Sequence, residues 1–152
     1  MNAWTRAIAP AAGVVLLTIV TIGLGLTVAT AMPGELNGPT QPVVVSANAE
    51  GTAVELVHEV GDPIDVRELE VRVLVDGEPL DEQPPVPFFS ARGFEAGPTG
   101  AFNVAAEQTW RPGEHVRFEI ANTNDPVPEP GDPIVVELYV DGDRVGTAET
   151  VA

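Results

Sequence analysis

The sequence predicts an all-β domain preceded by a single hydrophobic α-helix. Two observations lead to this prediction: a long uncharged apolar stretch near the N-terminus, and an alternation of apolar and polar residues through most of the remaining chain. No segment after the apolar stretch shows the 3.6-residue period of an amphipathic helix. With 152 residues, the chain has room for this helix and one domain of ordinary size.

The apolar stretch covers residues 7–34, which include no charged side chain, with Arg6 just before it and Glu35 just after. As a helix at about 1.5 Å per residue, its most apolar part would reach roughly 30 Å, the thickness of a bilayer's hydrocarbon core. Pro10 suits the first turn of a helix, where its missing N–H costs nothing. We therefore predict a hydrophobic transmembrane helix over residues 8–31, apolar on every face.

Three fates are open to this helix: a permanent anchor, a signal peptide removed after export, or a helix that leaves the membrane to pack with other helices. Arg6 is the only positive side chain before the helix, so the N-terminus is predicted to be cytoplasmic and the domain to be outside. The sequence Ala29-Thr30-Ala31 has the small-x-small form of a signal peptidase site. The apolar part of this helix is longer than the hydrophobic region of most signal peptides, which spans roughly 7–15 residues. The signal-peptide alternative therefore ranks second.

Charge and composition restrict the possible partners. The formal net charge is −16, from 23 acidic residues and seven arginines, with no lysine and no cysteine. A surface this acidic disfavours nucleic acid and suits a protein kept soluble in concentrated salt, with cation binding as the alternative. Without cysteine there is no disulfide, thiolate metal site or lipid-modified N-terminal cysteine.

Residues 32–42 hold three prolines and two glycines, which predicts an irregular linker. Residues 43–152 follow as the acidic β domain. Four of its segments alternate apolar and polar side chains, as strands with one face in a core do. The apolar sets are Val54, Leu56, His58 and Val60; Leu69, Val71, Val73 and Val75; Val116, Phe118 and Ile120; and Val136, Leu138 and Val140.

Additional strands over residues 43–47, 102–106 and 144–151 bring the predicted number to about seven. That number favours an immunoglobulin-like antiparallel β-sandwich. Hairpin turns are predicted at Asp76-Gly77 and Asp141-Gly142. The two strands that precede these turns are similar in sequence, and Gly-Asp-Pro-Ile comes before each at a different spacing (residues 61–64 and 131–134), which favours recurring hairpin chemistry while a duplication stays open.

The run from Arg6 to Leu17, RAIAPAAGVVLL, resembles the N-terminal signature of archaeal type IV pilins, particularly those of halophilic archaea. In that family a charged and a small residue precede a Val/Ile-Ser-Pro-x-x-Gly-Val start of the hydrophobic helix. Ala9 stands where serine is common, and Ala12 stands where bacterial pilins carry glutamate, which argues against the bacterial branch. Residues 58–62, 110–114 and 130–132 of the β domain are similar to segments of the same haloarchaeal group.

The resemblance implies that a prepilin peptidase cuts between Ala7 and Ile8, after a leader of residues 1–7 that ends in Arg6 and Ala7. The retained helix would then form the filament core with copies of the chain or with other pilin subunits. The implied location is the cell membrane for the precursor and the cell surface for the filament. The alternative is a membrane-anchored or secreted β-sandwich that binds a ligand or partner and does not polymerise.

No catalytic pattern is evident, and we predict a protein that is not an enzyme and needs no cofactor or metal. The only serines, Ser46 and Ser90, lie outside any nucleophile elbow, and the only histidines are His58 and His115. His58 is predicted to be half-buried and hydrogen-bonded to the backbone or to Asp62, with a metal role as the alternative.

Two further groups of residues have a structural and a functional interpretation. The loop 122–132, with Asp125, Glu129 and Asp132, is predicted to be solvated rather than a calcium site. Trp110 and the pair Phe88-Phe89 are predicted to be core residues rather than an exposed adhesive patch.

Overall fold

The computed structural model describes residues 42–152, which are all-β, with antiparallel sheets. The predicted leader, the helix over residues 8–31 and all but the last residue of the linker lie outside the described residues. Nine strands follow one another: β1 (Val44–Glu50), β2 (Ala53–Val60), β3 (Ile64–Asp65), β4 (Leu69–Val75), β5 (Glu78–Pro79), β6 (Thr109–Trp110), β7 (His115–Glu119), β8 (Pro133–Val140) and β9 (Asp143–Val151).

The strands form three sheets. One has the order β1-β2-β7, a second has the order β5-β4-β8-β9, and the short strands β3 and β6 pair with each other. The predicted strands around residues 43–47, 54–60, 69–75, 116–120, 136–140 and 144–151 all correspond to observed strands. The additional strands β3, β5 and β6 have two residues each, too few for an alternating pattern to reveal them.

Strands β4 and β8, whose similarity was noted in the sequence, are neighbours that run antiparallel, with Leu69 opposite Val140 and Val75 opposite Ile134. Each ends in an Asp-Gly turn, and these turns lie at opposite ends of the sheet because the strands are antiparallel. Asp76 and Asp141 have φ of 51° and 53°, and the glycines that follow them also have positive φ. Both predicted hairpin turns are thus confirmed as type I′, which needs positive φ at both central positions.

The inward-facing residues of the two larger sheets join in one hydrophobic core. Apolar side chains from β2 and β7 lie on one side of it and those from β4 and β8 on the other, as the alternation predicts. Its largest fully buried side chains are aromatic or branched, among them Trp110, Phe102, Phe118, Leu56 and Ile120. Burial of such side chains contributes roughly 1.5–3 kcal/mol each.

The prediction of a strand over residues 102–106 is wrong. The chain there forms a 3-10 turn, Gly100–Phe102, followed by a single parallel bridge between Phe88 and Asn103. The Asn103 side chain donates to the Pro98 carbonyl (2.8 Å) and accepts from the Ala105 N–H (2.9 Å). These local bonds satisfy backbone groups that a strand would pair with a neighbour.

Val60 is the one member of the predicted inward-facing sets that points outward, with 62% of its surface exposed. It pairs with Val44, the first residue of β1, and the register shifts between Val44 and Val45 because β2 has an extra residue there, Glu59. Gly61 follows with φ of 131° and ends the strand. The alternation in β2 is therefore interrupted one residue before the strand stops.

Candidate functional site

The residues predicted for leader cleavage, Arg6, Ala7 and Ile8, lie outside the described residues. Among residues 42–152, no helix has the length and apolar character needed to cross a bilayer. The candidates that the structure does describe are the His58 environment, the acidic loop, the Asp65–Arg67 pair and the connection between β5 and β6.

His58 is fully buried on the inner face of β2. Its Nδ1 lies 3.3 Å from the Trp110 carbonyl oxygen, and because a carbonyl only accepts, Nδ1 carries the proton. Its Nε2 has no hydrogen-bond partner among the described residues. The predicted backbone hydrogen bond is confirmed, whereas the prediction of half-burial is wrong because Trp110 covers the ring.

The metal alternative for His58 gains no support from this geometry. Asp62, its predicted companion, is exposed, while the His58 ring lies in the core. Over residues 42–152 no three His, Asp or Glu side chains are arranged to hold a metal ion. Neither Ser46 nor Ser90 in this region donates a hydrogen bond to a histidine; the Ser46 hydroxyl donates to Glu59 Oε1 at 2.6 Å.

The segment 110–114 forms a fixed turn between β6 and β7. The Trp110 indole N–H donates to the Glu114 carbonyl at 3.0 Å, and the Arg111 N–H donates to Glu114 Oε2 at 2.8 Å. Gly113, with φ of 87°, donates its N–H to the His58 carbonyl at 2.7 Å. This turn therefore holds Trp110 in the core, as predicted. Its backbone also forms a hydrogen bond to β2.

The acidic loop is held by a residue that sequence reasoning missed, Asn124, which is buried with 4% of its surface exposed. Its Nδ2 donates to the carbonyls of Glu82 (2.9 Å) and Gly93 (3.1 Å). Its Oδ1 accepts from the N–H groups of Glu82 (3.1 Å) and Asp125 (3.0 Å). All four hydrogen-bonding positions of the amide are used, so Asn124 connects three segments.

The carboxylates of this loop line an open groove. Asp125, Glu129 and Asp132 face it from the loop, and Asp76 and Glu78 face it from the β4–β5 turn. The groove encloses about 480 Å³ and is open to solvent. Because nothing in the described residues gathers these carboxylates around one point, the groove gives no support to the calcium alternative.

One exposed ion pair, Asp65–Arg67, lowers the pKa of its carboxylate. The Arg67 guanidinium and the Arg67 backbone N–H both donate to the Asp65 carboxylate. These hydrogen bonds, the side-chain one first, lower the pKa of Asp65 from its ordinary 3.8 to about 2. The pair is solvent-exposed, so we interpret it as a surface feature that orders the β3–β4 connection.

The connection between β5 and β6 differs in composition from the rest of the domain. Its residues 84–106, which we name the neutral segment, hold one arginine and one glutamate. Phe88 and Phe94 of this segment are in the core, but Phe89 and Val104 have 59% and 56% of their surfaces exposed. The core prediction for the Phe88-Phe89 pair is thus confirmed for Phe88 and wrong for Phe89.

Comparison of the chain with protein-family models gives no match, and comparison with curated proteins gives no significant match. The likeness to archaeal pilins therefore depends on the residues quoted above.

Proposed function

We propose that this protein is a structural subunit, a pilin or pilin-like protein, of an archaeal type IV pilus or related surface filament that serves adhesion. The observation that carries the proposal is the uncharged stretch of residues 7–34, which begins directly after Arg6 and precedes an acidic β domain. In this proposal a prepilin peptidase removes residues 1–7, and the helix over residues 8–31 assembles with those of neighbouring subunits.

The physical basis is the transfer of an all-apolar helix from lipid to a shared helical core. Lipid tails are as apolar as leucine, so the association depends on helix packing and lipid release. The β domain carries the acidic residues and stays in water outside the membrane. Its charge keeps it soluble, and dissolved salt screens the repulsion between neighbouring copies.

For the β domain we propose the immunoglobulin-like β-sandwich. Its strand order supports this assignment: β1-β2-β7 correspond to strands A, B and E, and β4-β8-β9 correspond to C, F and G. Strand β5 pairs with β4 in the position of strand C′. The shared core between the two sheets is what a sandwich requires.

Processing is tested by the intact mass and N-terminal sequence of the protein recovered from its native host. The proposal expects a mature N-terminus at Ile8. A matched strain that lacks the prepilin peptidase should retain Met1. A start at Met32 would contradict the proposal, because the helix would have been discarded.

Assembly is tested by placing a carboxylate in the helix. Leu17→Asp should abolish filaments in electron micrographs, since a charge in an apolar helical core is costly. Leu17→Ile keeps the apolar surface and should leave filaments intact. Normal filaments from the Asp variant would argue against assembly through the helix.

The second candidate is a membrane-anchored or secreted β domain that binds a partner without polymerising. The sequence Ala29-Thr30-Ala31 favours it, because signal peptidase recognises this pattern after an apolar core. A mature start at Met32, with no filaments, is the result that this candidate expects.

A further inference from the structure

The charge of the β domain is unevenly distributed along the chain. The neutral segment, 23 residues long, has no net charge. The other described residues hold five arginines and 21 acidic side chains, and so account for the whole net charge of −16. Any two copies that approach through those other residues bring like charges together, which costs free energy.

Two exposed apolar residues of the neutral segment, Phe89 and Val104, lie next to one backbone bridge. The parallel bridge joins Phe88 and Asn103: the Phe88 N–H donates to the Phe102 carbonyl (2.8 Å), and the Val104 N–H donates to the Phe88 carbonyl (3.2 Å). Phe89 and Val104 each follow the bridged pair by one residue. The two residues are therefore attached to adjacent stretches of backbone, and both are exposed whereas Phe88 is buried.

The backbone around Phe89 and Val104 is held in place by hydrogen bonds. The Gly97 N–H donates to the Phe89 carbonyl at 2.7 Å, and the Ala106 N–H donates to the Asn103 carbonyl at 2.9 Å. Phe88 itself is packed against Phe94, with ring centroids 5.9 Å apart. An exposed aromatic residue on such a fixed backbone loses little conformational entropy when it binds, which is typical of interface anchors.

We propose that the surface formed by Phe89 and Val104, the Phe89–Val104 surface, is where the β domain of one subunit contacts a second copy of this chain. The inference rests on the proposed filament function, which holds the domains side by side at high effective concentration. A contact too small to form a stable dimer in solution is then sufficient. Interface centres are poor in charge and rich in aromatic residues, as this surface is.

The chain contains no cysteine, so a single introduced cysteine reports on one position. We would make Val104→Cys and, as matched control, Val60→Cys, since Val60 is a similarly exposed valine outside the neutral segment. Both full-length variants would be expressed in the native host and labelled with a bulky maleimide on assembled filaments and on detergent-dissociated subunits. We expect the maleimide to label Val104→Cys at least about 10-fold more slowly in filaments than in dissociated subunits. Val60→Cys should be labelled at similar rates in both states.

A second variant tests the contact itself. Phe89→Ser should lower the temperature at which filaments dissociate without changing the thermal unfolding of the dissociated subunit, because Phe89 is outside the core. Filaments in which Val104→Cys labels as fast as Val60→Cys would overturn this inference and leave the filament proposal intact. Loss of cell attachment by Phe89→Ser with freely labelled Val104→Cys would also overturn it, in favour of a foreign surface. Wild-type cells without filaments would refute the filament proposal itself.

Discussion

His58 and Trp110 lie in contact in the core, with ring centroids 5.3 Å apart and the His58 Nδ1 3.3 Å from the Trp110 carbonyl oxygen. Backbone bonds reinforce the contact: the His58 N–H donates to the Glu114 carbonyl (3.2 Å), and the Gly113 N–H donates to the His58 carbonyl (2.7 Å). A single position of β2 is thus tied to the turn before β7 through its side chain and its backbone.

Truncation of His58 should therefore be costly. His58→Ala removes the ring that packs on Trp110 and leaves a cavity, so we expect a loss of about 2–4 kcal/mol in the free energy of unfolding. Val60→Ala, two residues further along and exposed, should cost less than about 0.5 kcal/mol. Urea unfolding of the full chain in detergent, followed by near-UV circular dichroism, measures both. Equal losses would contradict the burial of His58.

The four hydrogen bonds of Asn124 make an isosteric test possible. Asn124→Asp places a carboxylate where the amide donates to the Glu82 and Gly93 carbonyls, and we expect a loss of about 3 kcal/mol or more at neutral pH. The matched control is Asn122→Asp, the same change at an exposed position two residues earlier, which should be nearly neutral. Thermal unfolding compares the two variants, and similar melting temperatures would refute the proposed role of Asn124.

Gly100 and Gly97 have similar positive φ, 63° and 80°, but different surroundings. A Cβ at Gly100 would clash with the His115 carbonyl oxygen, whereas a Cβ at Gly97 would meet nothing within 4 Å. Gly97→Ala should cost only the backbone strain of about 1 kcal/mol. Gly100→Ala adds a clash with the backbone of β7, and we expect about 3 kcal/mol or more. Chemical denaturation of the pair checks the difference, and a smaller loss for Gly100→Ala would contradict this geometry.

The Asp65–Arg67 pair predicts that the free energy of unfolding depends on pH in the acidic range. Because its pKa is lowered from 3.8 to about 2, Asp65 binds its proton less readily in the folded state than in the unfolded state. Its contribution to stability is therefore present above about pH 4 and is lost as the pH falls through about 2. Carbon-13 NMR titration of the Asp65 carboxyl should show the low pKa in the wild type and a higher pKa, still below 3.8, in Arg67→Gln, because the variant loses the guanidinium but keeps the backbone N–H donor. Arg72→Gln, which removes an arginine paired with Glu70 instead, should leave the Asp65 titration unchanged.

Most of the regular strands could be predicted from the sequence, for a local reason. In β4 and β8 every second side chain enters the core, so apolar and more polar residues alternate along each strand's sequence. The turns at Asp76-Gly77 and Asp141-Gly142 were equally predictable, because few residue types accept positive φ at both positions. Both features can be predicted without knowing which strand pairs with which.

The connection between β5 and β6 could not be predicted in the same way. Phe102 is apolar and buried, as a strand residue would be, but it lies in a 3-10 turn whose Asn103 side chain replaces strand partners. Asn124 gave no signal in the sequence either, because one asparagine among acidic loop residues has the composition of any solvated loop. Its role depends on Glu82 and Gly93, which lie 42 and 31 residues away in the chain.

The sequence by itself determined the antiparallel all-β character of residues 42–152, their acidity and their two type I′ turns, because periodicity, charge and φ preference are local properties. Only the tertiary structure decided that His58 is fully buried, that Phe88 points inward while Phe89 points outward, and that Val60 leaves the core. Each of these depends on which distant backbone a residue meets: the Trp110 turn, the Asn103 bridge and the register shift between β1 and β2. Long-range contacts of this kind are selected by packing of the whole core, which no local pattern encodes.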